Sequence, residues 1–229
     1  MSRLNQFKDN LTQGEKTFLA EYEAAVGELF NGLEARGALD KTFDKSKVER
    51  AVKLIQTSNV PVDLFKNFNI LANLPERERD QILSDLDAKG FKVKNIPEQF
   101  GAVMCHMYQV MAERLKLHMV MLIDFSKLNL VDADEKPLGP IIKKLKEKFP
   151  DNKFVSFLST EIRNAVTHYS YYFENGKLYL CEGHFDQSPK ELDLSKFIIE
   201  TKKLNILTES FFLIYLDKYR PNGNLVLEE

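Results

Sequence analysis

The sequence predicts a mainly α-helical protein with one short β-hairpin, and three observations carry that expectation. Apolar residues recur at helical spacing through most of the chain, as in Phe18, Leu19, Tyr22, Ala25, Val26, Leu29, Phe30 and Leu33. Helix-start signals precede such runs, because Thr12 with Glu15 and Ser46 with Glu49 each form a capping box. Asn175-Gly176, set between Phe173 and Leu178, is a two-residue turn of the kind that closes hairpins.

The first helix follows the Thr12 cap and stops before Gly37. A second opens at Ser46 and carries Val48, Val52 and Ile55. Pro61 and Pro75 suit the first turns of further short helices, the last ending near Gly90. Residues 1–95 thus form a helical N-terminal region without a catalytic constellation, whose apolar stripes either extend the core of the rest or meet a partner.

Pro97 starts the longest helix, which runs to about residue 127 with Phe100, Val103, Met104, Met107, Met111, Leu115, Met119 and Leu122 on one side. Five of the six methionines lie there, a composition that suits ordinary core or a subunit interface. His118 falls on that apolar side and reads as a hydrogen-bonded core or interface histidine; His106 has no motif around it.

Residues 128–140, with Asp132, Asp134, Glu135, Pro137, Gly139 and Pro140, read as loop. They lack the glycine and terminal glutamate of a calcium loop at the required offsets, so no metal site is expected. A short basic helix follows over 141–149. Its Lys143, Lys144, Lys146 and Lys148 either grip phosphates or form a solvated face. The last helix opens at Asp193 or Ser195, runs through Phe197, Ile198, Leu204, Leu207, Phe211, Ile214 and Tyr215, and stops before Pro221. Residues 221–229 should be a loose tail.

Between the basic helix and the hairpin lies Arg163-Asn164-Ala165-Val166-Thr167-His168. With about 100° per residue, Arg163, Thr167, Tyr171, Asn164, His168 and Glu161 share one polar arc of a helix. Val155, Leu158, Ile162, Ala165, Val166, Tyr169 and Phe173 fill the opposite, core-facing arc. An arginine that holds charge beside a histidine that moves protons is a pair suited to cleaving a phosphodiester without a metal. The two sit about 140° apart around the axis, so one helix spreads them and a second copy would close the gap.

The hexad resembles the Arg-x(4–6)-His signature of the HEPN domain (higher eukaryotes and prokaryotes nucleotide-binding), in which the residue after the arginine is usually Asn, Asp or His. The setting is similar too: a long helix before, Asn164 in the polar slot, an excursion through 172–177, and a closing helix. The likeness covers about residues 96–220. It implies an up-and-down helical bundle and, in many members, a dimeric, metal-independent endoribonuclease of the toxin-antitoxin or antiviral defence type. Other members keep the fold as non-catalytic modules that bind nucleotide, RNA or a protein partner. Under this resemblance Arg163, His168 and Asn164 are the catalytic residues, Glu161, Tyr171 and Thr167 support them, and Lys143, Lys144, Lys146 and Lys148 contact RNA. No cofactor is implied. Partners would be a second copy, RNA, and an antitoxin or defence-system protein. Some members carry a tyrosine two positions beyond the histidine that a partner nucleotidyltransferase modifies; Ser170 stands there.

Composition sets the outer limits. At 229 residues and 44% apolar, the chain can bury a sizeable core. Lys and Arg number 32 against 34 Asp and Glu, a net charge of -2, so any RNA-binding surface must be local. No apolar run approaches a membrane span and no secretory leader is expected. Cys105 and Cys181 make no disulfide framework and no Cys-x-x-Cys pair, which suits a reduced, cytoplasmic protein.

Overall fold

The computed structural model describes residues 2–40, 43–44, 53, 77, 84, 96–168, 170–175, 177–181, 188–220 and 227–228. The expected helices at Ser46, Pro61 and Pro75, and His184, lie outside the described residues. The protein is mainly α-helical with a small antiparallel sheet, as its sequence predicts.

Two short N-terminal signals set the first helices. Ser2 caps α1 (Arg3–Asp9) by accepting from Asn5 N at 3.2 Å. Thr12 and Glu15 make the reciprocal capping box that opens α2 (Gln13–Ala35). Gly37, with φ of 61°, ends α2 in the left-handed conformation, and Ala38 N donates back to Leu33 O at 2.9 Å. That bond satisfies an otherwise orphaned carbonyl of the last turn.

The long helices α3 (Ile96–Leu122) and α6 (Leu194–Tyr219) pack on each other and, through α6, on α2. Paired contacts fix their directions. Tyr22 donates to Leu207 O, and Phe30 meets Phe211 and Tyr215 edge-on, so α2 and α6 run parallel. The chain returns antiparallel along α2 through a 3-10 turn at Lys153–Phe157: Asn152 bonds Ala25 O, Phe154 meets Tyr22, and Phe157 meets Phe18.

One hydrophobic cluster runs from Leu4 to Leu216, so α1 and α2 belong to the same core as the helices after residue 96. The methionine stripe of α3 is internal: Met104, Met107, Met111 and Met119 are all buried. Those four side chains therefore fill the core and are not free to form a subunit interface.

After α3, a 3-10 turn (Phe125–Leu128) precedes α4 (Leu138–Lys148), which begins inside the stretch expected to be loop. Pro140 is tolerated because the first helical N–H groups have no acceptor within the helix. The hairpin forms where predicted: β2 (Tyr171–Glu174) pairs with β3 (Lys177–Leu180) around Asn175, whose φ is 51°. A third strand, β4 (Lys190–Asp193), pairs with β3 and leads into α6. Two residues each of β1 (Phe43–Asp44) and β5 (Leu227–Glu228) pair in parallel, so the expected loose tail ends in a short ladder.

His118 on α3 is a core histidine, as its position suggests. It is 7% exposed, stacks on Phe212, and sits 3.0 Å from Thr208 O. A carbonyl only accepts, so Nδ1 carries the proton. Burial lowers its pKa from 6.5 to about 4, the Thr208 bond opposing and the nearby Arg114 adding to the fall. Folded His118 thus binds its proton less readily than unfolded His118, and stability is lost as pH falls from about 6.5 toward 4. The expected loss by pH 4 is on the order of 3 kcal/mol. Urea titrations at pH 7 and pH 4.5 check this, since His118→Gln should remove most of the difference; an unchanged difference would exclude His118 as its source.

Candidate functional site

The hexad lies on α5 (Thr160–Thr167), a helix of eight residues that packs on α3. Ser159 caps it by accepting from Ile162 N at 3.3 Å, and Tyr108 of α3 donates to Ser159 O at 3.3 Å. Ile162, Ala165 and Val166 turn inward and are buried, as the helical pattern predicts.

The helix stops earlier than expected. His168 is its C-cap, with backbone N–H donating to Asn164 O, and Ser170 N closes back onto Ala165 O at 2.8 Å. From Ser170 onward the chain belongs to the sheet: Cys181 N donates to Ser170 O, and Tyr171 pairs with Leu180. Val155 and Leu158 likewise precede α5, in the 3-10 turn and its cap, although Leu158 is still buried.

Each expected site residue can now be located. His168 and Asn164 are exposed, and Arg163 and Thr167 are half-buried. The Arg163 guanidinium donates from Nη2 to Asn164 Oδ1 and lies against Gly139 in the first turn of α4. Burial lowers the Arg163 pKa from its ordinary value, while the fields of Glu113 and Tyr108 on α3 oppose that shift. Among the described residues its buried Nε has no hydrogen-bond partner. Among the described residues, no hydrogen bond or ion pair joins Arg163 to His168.

Of the supporting residues, Tyr171 is placed elsewhere and Glu161 is engaged by the sheet. Tyr171 sits on β2, not on the arc of Asn164; its side chain hydrogen-bonds the buried Cys105 thiol and meets Phe173 edge-on at 5.9 Å. The helical wheel misplaced it because helical spacing no longer applies beyond His168. Glu161 is exposed and forms an ion pair with Lys190 of β4, so its carboxylate is directed to the sheet. Burial pushes the Cys105 thiol up to about 12, leaving it a core group without thiolate character.

The four lysines of α4 divide. Leu138, Ile141, Ile142 and Leu145 face the core. Helical geometry puts Lys143 and Lys146 within about 40° of Gly139, on the edge that Arg163 touches, and Lys144 and Lys148 on the far edge. Lys144 is also paired with Glu147 at 2.9 Å.

Three neighbours of Arg163 escaped the sequence reading: Gly139, Tyr108 and Glu113. Only the tertiary approach of α3 and α4 reveals them. Tyr172 of β2 is exposed and stacks on Tyr179 across the hairpin at 4.8 Å. Among the described residues no cluster of three or more His, Cys, Asp or Glu is placed to hold a metal ion, and no helix is long and apolar enough to cross a membrane. Neither a family model, a curated protein nor a solved structure matches the chain.

Proposed function

We propose that the protein is a HEPN-like endoribonuclease that cleaves RNA without a metal, in the cytoplasm, through a site assembled by two copies of the chain. The observation that supports this reading most is the division of α5. Its apolar side is consumed by the core, while Asn164 and His168 remain exposed and Asn164 accepts from the Arg163 guanidinium.

In the proposed reaction His168 takes the proton from a ribose 2′-hydroxyl, and the resulting oxygen attacks the adjacent phosphorus. Arg163 stabilises the added negative charge on the phosphoryl oxygens. The 5′-oxygen leaves with a proton returned by an imidazole, giving a 2′,3′-cyclic phosphate and a 5′-hydroxyl. Asn164 fixes the guanidinium through the bond already present. Helical geometry sets Arg163 and His168 about 140° apart on one α5, so the two groups would come from different protomers. Toxin or antiviral defence roles, with an antitoxin or defence partner, accompany this reading.

Purified protein incubated with single-stranded RNA and excess chelator tests it: cyclic-phosphate products are expected from RNA and none from DNA, which lacks the attacking hydroxyl. Absence of cleavage across varied RNAs counts against it.

The alternative, a non-catalytic HEPN module binding nucleotide, RNA or a protein, draws support from the half-buried Arg163, already engaged by Asn164 and close to Glu113. Titration of labelled RNA beside the cleavage assay separates the two readings.

The split of the lysines gives a further expectation. Replacing Lys143 and Lys146 with glutamine should weaken RNA binding about tenfold and flatten its dependence on log salt by about two phosphate contacts. The same change at Lys144 and Lys148 should have less than about a twofold effect. Equal losses from the two pairs would place the RNA path elsewhere.

A further inference from the structure

Gly139 occupies an ordinary helical position, the second residue of α4, and its backbone is not left-handed. Glycine is a poor helix former there, so its dihedral freedom gives no reason for its presence. The space around it does. A methyl group built at Gly139 would stand 2.9 Å from Arg163 Nη2, 3.3 Å from Nη1 and 3.4 Å from Cζ. The first of these is closer than a real Cβ approaches another heavy atom.

We propose that Gly139 is a positioning residue for Arg163: its bare backbone is the seat on which the guanidinium rests. This inference rests on the reading of Arg163 as the phosphate-binding group of the site. The other neighbours act in the same sense. Asn164 Oδ1 accepts from Nη2, and Glu113 attracts the charge from the α3 side. Among the described residues the buried Nε has no hydrogen-bond partner, and it is the Nη1/Nη2 edge that approaches Gly139. An added methyl would push the guanidinium by some tenths of an ångström, and misplacement on that scale slows a reaction in which the group must meet developing charge.

Because the crowded atoms are the far end of a flexible side chain, Gly139→Ala should fold and push the guanidinium off its seat. RNA cleavage is expected to fall about tenfold in kcat. The same substitution in an Arg163→Ala background should cause no further loss, since the group it acts through is gone. Full activity in Gly139→Ala, or an equal fold-loss with and without Arg163, overturns the proposal.

A second arm is independent of any nuclease activity. In ¹⁵N-arginine-labelled protein, the Arg163 Nε–H resonance and its exchange with water should change in Gly139→Ala. If no RNA is cut and this resonance moves, the seat stands and the nuclease reading falls. If it does not move in a folded variant, the seat itself is wrong. Should Gly139→Ala fail to fold, the Gly139→Ala/Arg163→Ala double variant must recover, because the clash has been removed; failure of both rejects the seat.

Discussion

Alanine at His168 is expected to lower RNA cleavage by about two to four orders of magnitude while leaving the protein folded. The ring is exposed, and it is the backbone N–H of His168, rather than its imidazole, that closes α5. Stability should therefore hardly change. Arg163→Ala should lose about 10²- to 10³-fold through the phosphoryl charge it no longer offsets. Lysine at 163 should not restore the rate, since a point charge cannot reproduce two parallel N–H donors. Single-turnover rates on one defined RNA, with melting curves of each variant, check these values. Wild-type rates in His168→Ala would remove the imidazole from the chemistry.

The second large effect concerns the core. Phe30→Ala should cost about 3–5 kcal/mol in a urea titration, with unfolding still in one transition. Phe30 is fully buried on α2 and its ring meets Phe211, Tyr215 and Tyr219 of α6. A loss below about 1 kcal/mol, or two separate transitions, would mean that the N-terminal helices do not share the core of α3 and α6.

The fold was legible in the sequence wherever a local signal decided the local structure. The Thr12–Glu15 box, the turn at Gly37, the Asn175 hairpin and the apolar stripes of α3 and α6 each specify their element from a few neighbouring residues. Prolines misled at one point: Pro137 and Pro140 suggested loop, yet α4 begins at Leu138 because prolines in a first turn lose no intrahelical bond. Strand β4, Lys-Glu-Leu-Asp, has no β-forming composition of its own and exists through its pairing with β3.

The candidate site was half legible. Its inward residues Ile162, Ala165 and Val166 and its outward Asn164 and His168 follow from helical spacing. Tyr171 did not, because the ladder beginning at Ser170 competes with the helix and wins. Nor did the contact of Gly139 with Arg163, which joins residues 24 positions apart and leaves no trace in either local pattern.

In the proposed chemistry the guanidinium and the imidazole come from different chains. Mixing the two inactive variants, Arg163→Ala and His168→Ala, measures this directly. Random exchange makes half the dimers mixed, each with one complete site of two, so cleavage should return to about a quarter of the wild-type rate. A mixture as inactive as either variant alone, beside an active wild type and proven subunit exchange, would contradict the shared site.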